Sequence, residues 1–278
     1  MSYRSAALCL FALACSKQAP LTESEVVDAF FAAVDAGDVE AIEGLVAEDY
    51  VQHSALAADG RAGLLEALPS LREMEVQRHR LLVDGDKVLL HQTYTLPDQS
   101  TQVVFDVFRV EAGQLVEHWD AWQPEVPAAQ TVSGRSMTEG PTEVVDLDQT
   151  EANRRLVTDF VEVVLTQGQF DRLGEFISAD QYDQHNPGVA DGLEGLGALA
   201  AGLQEAGLVF GYTDSPLVVA QGNFVMVGSE GVFGPSEAPG FALFYDLWRV
   251  EQGQIVEHWD VVPPGPDVAG LPHDNGFF

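Results

Sequence analysis

Basic residues are scarce in this chain: Lys and Arg number 13 against 44 Asp and Glu, a formal charge of −31 over 278 residues. The lysines are Lys17 and Lys87 alone. A surface of that sign repels phosphate backbones and anionic headgroups, which argues against nucleic acid as a partner. Cysteine is almost absent, with only Cys9 and Cys15, both near the start. That leaves no disulfide framework and no cysteine-rich zinc site. No HxxxH or HExxH spacing occurs, so a metal centre is disfavoured. No GxSxG elbow supports a nucleophilic serine, and no glycine-rich loop after a strand implies a nucleotide cofactor. What remains is cofactor-free chemistry by carboxylates and imidazoles, or no chemistry.

Long apolar runs are also missing. The stretch Ala6 to Ala14 is too short to span a bilayer as a helix. Lying between Arg4 and the polar SKQAP, it reads as an export signal within residues 1–21. The residues ALAC ending at Cys15 resemble the lipobox of bacterial lipoproteins, with Ala12 where leucine is usual. That resemblance implies an acylated Cys15, membrane contact through a lipid anchor only, and a place at the outer membrane or cell surface. An ordinary cleaved signal or a buried N-terminal helix is the alternative.

What the chain does have is a repeat. FFAAVDAGDVEAIEGLVAEDYVQHS (30–54) matches FVEVVLTQGQFDRLGEFISADQYDQHN (160–186), and FDVFRVEAGQLVEHWD (105–120) matches FYDLWRVEQGQIVEHWD (244–260). AADGRAGL (57–64) answers VADGLEGL (189–196) in the same order. A period this long suits a duplicated domain rather than a solenoid unit. The expected organisation is a first domain over 22–126, a linker over 127–149, a second domain over 150–262 and a tail over 263–278.

Each copy carries the same succession of patterns. Val26, Val27, Phe30, Phe31 and Val34 recur at helical spacing, with Ser24 as the expected N-cap and Gly37 as the stop. A short second helix, the strand DYVQH and a third helix after the Asp-Gly turn follow. Strands come next: 80–83, 88–94, 103–110 and 115–122. Helices followed by a run of strands predict an α+β domain with helices on one face of a curved antiparallel sheet. The second copy is longer between its imidazole and its aspartate, and GVFGPSEAPG is expected to cap its pocket.

The residues YxQH, ADGxxGL and FDVFRVExGxxVEHWD together resemble the SnoaL-like branch of the nuclear-transport-factor-2-like superfamily, over both halves. The resemblance implies two cone-shaped α+β barrels, each with a pocket between sheet and helices, and domains that pair sheet to sheet. An intramolecular pseudo-dimer or a homodimer would follow. Members of that branch close polyketide rings by aldol chemistry, the wider superfamily includes a ketosteroid isomerase, and many members only bind or dimerise, so the fold does not settle the function.

Alternation along a strand puts His118 and Asp120 on one face, and Glu117 and Trp119 on the other; His258 and Asp260 repeat this. A carboxylate beside an imidazole can move a proton from carbon next to a carbonyl. His53 and His185 are expected to complete the two sites, with Gln52 and Gln184 facing away. Whether Asp106 and Asp246 face inward depends on hairpin register and stays open. The HWD string is expected to supply at most two metal ligands on one face. Arg109 with Glu117, and Arg249 with Glu257, read as cross-strand ion pairs. The alternative for the whole EHWD string is scaffold: a satisfied hydrogen bond and a core tryptophan. At most one pocket is expected to be catalytic. The ligand is expected to be a small apolar or carbonyl-containing molecule, and the rival function is non-catalytic binding of such a ligand or of a protein.

Overall fold

The computed structural model describes residues 20–278. The expected signal segment and Cys15 therefore lie outside the described residues, apart from Pro20 and Leu21. In the first half the elements run α1 (Glu23–Ala36), α2 (Val39–Leu45), β1 (Val46–Gln52), α3 (Gly60–Leu71), β2 (Glu75–Asp84), β3 (Lys87–Thr95), β4 (Thr101–Glu111) and β5 (Gln114–Pro124). The second half follows with α4 (Thr150–Phe160), β6 (Asp183–Gln184), α5 (Gly192–Glu205), β7 (Leu208–Gln221), β8 (Phe224–Pro235), β9 (Gly240–Glu251) and β10 (Gln254–Val261).

The N-cap of helix α1 lies two residues before the expected one. Thr22 is the N-cap, and its hydroxyl and the Glu25 carboxylate satisfy each other's backbone N–H groups in a capping box. Gly37 ends the helix in the left-handed conformation, as its lack of a Cβ allows. The buried stripe Val26, Val27, Phe30, Ala33 and Val34 packs onto Val88, Leu90 and Phe108 of the sheet. The equivalent helix α4 continues into a wider π-helical stretch over Val161–Thr166, and the second short helix is a 3-10 turn over Phe170–Glu175.

Each half forms a five-stranded sheet, in the orders β1-β5-β4-β3-β2 and β6-β10-β9-β8-β7. The sheets are mixed rather than antiparallel throughout, because β1 and β6 run parallel to β5 and β10. A strand returning from behind the helices enters along the same direction as β5, and the helical crossover makes that parallel pairing possible.

Alternation then divides the side chains of each sheet. One face, with Phe108, Val110 and Leu115 in the first half, packs under the helices. The other carries Leu89, Phe105, Val107 and Trp119, which share a single buried cluster with Phe224, Met226, Tyr245, Leu247 and Trp259 of the second sheet. Two faces too apolar for water are thus joined back to back.

The segments after β5 and after β10 cross this joint in opposite directions. Residues 133–140 lie on the second half: His185 Nδ1 is 2.6 Å from the Ser136 carbonyl, Arg135 pairs with Asp183 and Asp191, and Met137 is buried in the shared cluster. Residues 273–276 lie on the first half in matching fashion, before Phe277 and Phe278 turn back onto Phe241 and Tyr245. His53 Nδ1 is 3.2 Å from the Gly276 carbonyl, and Asn275 donates to Asp59 and to the Gln52 carbonyl. Arg80, buried and 4.0 Å over the Trp259 ring, holds the crossing by donating to the carbonyls of Thr138, Glu139 and Pro141. The stretch 127–149 is therefore packed structure, not a loose tether.

Candidate active sites in two cavities

Strand register assembles the polar groups. Asp106 stands directly opposite Asp120 and Phe108 opposite His118 on the β4–β5 pair, and Asp246 opposite Asp260 on β9–β10. Opposed residues of an antiparallel pair share a face, so both aspartates of each pair point toward the helices with the histidine. The question the sequence left open is answered: Asp106 and Asp246 face inward.

The parallel strand decides the next group. Gln52 is in register with His118, and Gln184 with His258, so the glutamines enter the cavities. His53 and His185, one residue further, emerge on the opposite face. There they stack on Trp119 and Trp259, at ring separations of 5.2 and 4.8 Å, and contact Glu117 and Glu257 at 3.1 and 3.0 Å. This corrects the expectation that these two histidines complete the sites and that the glutamines face away. The glutamates also take the expected ion pairs, from Arg109 at 2.7 Å and Arg249 at 2.6 Å.

Inside each cavity the proton positions follow from the hydrogen bonds. Gln52 Oε1 accepts from the backbone N–H of His53 and of Ser54, which identifies it as the oxygen. His118 Nδ1, 2.9 Å away, must then donate to it. The other ring nitrogen is 3.1 Å from Asp106 Oδ1, and a proton must lie between them too. The second half repeats this: Gln184 Oε1 accepts from the Asn186 N–H and from His258 Nδ1, and His258 Nε2 is 2.9 Å from Asp246 Oδ1. Burial, the largest influence on His258, favours its neutral form, but the Asp246 bond and the charges of Asp260 and Asp246 together raise its pKa. The raised pKa and the Asp246 bond favour an imidazolium bound to a carboxylate.

The remaining carboxylates differ. Asp260 is pushed up to about 6, foremost by burial, against the lowering effect of His258 and with the repulsion of Asp246 added. One of its oxygens accepts from the Asn186 amide, while Oδ1 is buried without a hydrogen-bond partner among the described residues. Asp120 is also raised by burial, but its Oδ2 accepts from the Trp122 indole at 2.7 Å. Asp106 accepts from the Tyr94 hydroxyl and Gln92, and Asp246 from the Tyr212 hydroxyl at 2.6 Å. Tyr50 and Tyr182, the first residue of each YxQH, also line the cavities, and burial above all holds both hydroxyls protonated.

The first cavity encloses about 180 Å³ and the second about 460 Å³. Apart from the polar cluster at one end, the second is walled by Phe160, Phe210, Phe244, Trp248 and leucines of α5. No residue of GVFGPSEAPG lines it, contrary to expectation. Instead that stretch extends the β8–β9 hairpin, and its partner strand β7 brings Leu208, Phe210 and Tyr212 to the wall. Asp246, His258 and Asp260 each place a ligand-type atom within 4.8 Å of the others, as do Asp106, His118 and Asp120. Three groups, not two, could therefore approach a cation, although the histidine and one aspartate of each set are already joined through a proton.

Tyr50, Tyr182, Gln52, Gln184 and Tyr212 escaped sequence reasoning as site residues. For the first four the signal was the YxQH motif itself, whose first and third residues alternate onto one face. Tyr212 is on β7, and its counterpart on β2 is Val76, so the repeat gave no signal for it.

A family model described as "SnoaL-like domain" matches residues 27–118 and again 157–258. Solved structures similar to part of the chain include IdmH of Streptomyces antibioticus, provisionally described as a polyketide cyclase: 21% identical, covering 37% of this chain and 93% of that one, TM-score 0.33. A protein of Kribbella flavida, provisionally described as a ketosteroid isomerase, is 22% identical over 36% of this chain and 77% of its own, TM-score 0.33. A provisionally described polyketide cyclase of Bacillus cereus is 24% identical over 36% of this chain and 74% of its own, TM-score 0.33. No curated protein matches the chain.

Proposed function

The chain belongs to the SnoaL-like family in both halves, and from that premise we propose that its second domain catalyses cofactor-free proton transfer on a carbonyl compound. Asp260 is the general base. The observation that carries this reading is its buried Oδ1, without a hydrogen-bond partner among the described residues, on a cavity-lining carboxyl group pushed up to about 6. At neutral pH that group is ionised and near the basicity at which a carboxylate removes a proton from carbon alpha to a carbonyl most effectively.

The oxygen of the forming enolate needs a donor. Tyr182 provides one: its hydroxyl proton is not committed to any acceptor, Gln184 only donating toward it at 3.5 Å. Held protonated by burial, it can stabilise negative charge in a site of low dielectric. His258 has both N–H groups engaged, so it positions Asp246 and supplies a positive charge beside Asp260. Returning the proton to a different carbon completes an isomerisation; attack of the enolate carbon on a second carbonyl, whose oxygen then takes the proton held by Asp260, completes an aldol closure.

Deuterium exchange into 1-tetralone, followed by NMR in D2O, tests this. Exchange should rise as pH passes through about 6, and Asp260→Asn should slow it at least 100-fold. Equal exchange in the variant and the wild type would leave the cavity a binding site only. We also propose export and acylation at Cys15. Palmitate labelling should be lost in Cys15→Ala, and labelling of neither protein would overturn that placement.

A further inference from the structure

The first cavity has the same triad as the second and a smaller size, and Tyr94 and Trp122 wall it; in the second, Tyr212 takes over the tyrosine bond to the inward aspartate from the neighbouring strand. In register, Tyr94 of β3 corresponds to Gly231 of β8, since Tyr94 opposes Gln102 and Gly231 opposes Ala242, each four residues before the inward aspartate. Trp122 lies two residues after Asp120, where the second half has Val262 after Asp260. Tyr94 and Trp122 meet at 4.6 Å between ring centres, and both are tied to the carboxylates, Tyr94 to Asp106 and Trp122 to Asp120. In the second half no side chain fits at 231: a Cβ there would come within 2.3 Å of the Gly211 carbonyl oxygen.

A second feature concerns what the smaller cavity would hold. The Tyr50 hydroxyl lines it, is 1% exposed, and has no hydrogen-bond partner among the described residues. A buried donor without a partner costs free energy that an incoming acceptor recovers. A cavity of about 150 Å³ takes a benzene ring, so one of about 180 Å³ has room for a single ring with a polar substituent. The second cavity, at about 460 Å³, lies in the range of ordinary ligand pockets.

We propose that the first domain is a separate binding site for a single-ring ligand carrying a hydrogen-bond-accepting oxygen, such as a phenol or a cyclic enol, with Tyr50 as its donor. Tyr94 and Trp122 wall this smaller site, and the protein binds two ligands of unequal size. The inference concerns binding alone and does not require turnover in the second domain.

The indoles report each site. Trp122 lines the first cavity and Trp248 the second, so their N–H signals in a heteronuclear NMR spectrum register occupancy separately. In the wild type, 4-fluorophenol should shift both signals and 9-phenanthrol that of Trp248 only. Tyr50→Phe should weaken 4-fluorophenol at the Trp122 site about tenfold and leave the Trp248 response in place as a control for folding. Tyr94→Ala should admit 9-phenanthrol to the first site. If that variant does not fold, Val262→Trp should expel 9-phenanthrol from the second site. Failure of 4-fluorophenol to move Trp122, entry of 9-phenanthrol at both sites of the wild type, or indifference to Tyr50→Phe would each overturn the proposal. Turnover of 1-tetralone bears on neither outcome.

Discussion

At the scale of single residues, the two inward aspartates of the second domain have opposite effects on stability. Asp246 accepts from Tyr212 and His258, whereas Asp260 keeps a buried oxygen without a partner. A carboxyl group raised from 3.8 to about 6 takes up its proton more readily folded than unfolded. Its ionisation therefore destabilises the fold above about pH 6, by up to about 3 kcal/mol, and this cost disappears as pH falls toward 3.8. Asp260→Asn should raise the urea midpoint at pH 8 and make little difference at pH 4. Asp246→Asn should lower it at pH 8, because a partnered group is lost. A midpoint for Asp260→Asn below that of wild type at pH 8 would show that the carboxylate is better solvated than the structure indicates.

Much of the site's chemistry could be read from the sequence at this scale, but not its orientation. Period-two alternation correctly separated His118 and Asp120 from Glu117 and Trp119, because neighbours along one strand need no knowledge of other strands. Gln52 and His53 were assigned to the wrong faces since their direction is fixed only by how β1 lies against β5. That parallel register follows from the helical crossover and leaves no local pattern. Asp106 was undecidable for the same reason: a register shift between Arg109 and Val110 intervenes in the hairpin that carries it.

At the scale of elements, helices, turns and the succession of strands along the chain were legible from apolar spacing and Asp-Gly turns, while the parallel edge strands and the roles of the connecting segments were not. The stretch 133–140 has few apolar residues to announce burial, yet it passes over a buried surface. Gly140, at φ +110°, lies so close to that surface that a Cβ would meet the Glu257 carboxylate at 2.6 Å and the Trp259 ring at 2.8 Å. Gly140→Ala should cost about 2 kcal/mol or more, through the strained φ and the displaced pair beneath it. Equilibrium urea unfolding measures this, and Gly85→Ala, at a positive-φ turn with nothing within 4 Å, isolates the backbone part.

At the scale of the whole molecule, one buried cluster draws residues from both sheets. Each half alone would expose Phe105 and Trp119, or Tyr245 and Trp259, to water. Unfolding should accordingly be a single transition by tryptophan fluorescence and by circular dichroism alike. Two separated transitions would show that the halves hold their structure independently. The repeat announced two folding patterns, while the shared layer joins them through one buried cluster.

The crossing segments bear on the order in which this protein can be made. Translation produces β1 to β5 first, but the strip that covers His53 and binds Asp59 comes from residues 273–276, beyond the entire second domain. A nascent chain halted after its first half leaves the ribosome with an uncovered histidine–tryptophan face and an open seat for residues not yet synthesised. The second half meets no such delay, because residues 133–140 precede it. The cover of the first domain is thus the last segment to be synthesised, and its face is completed only after the second domain has been made.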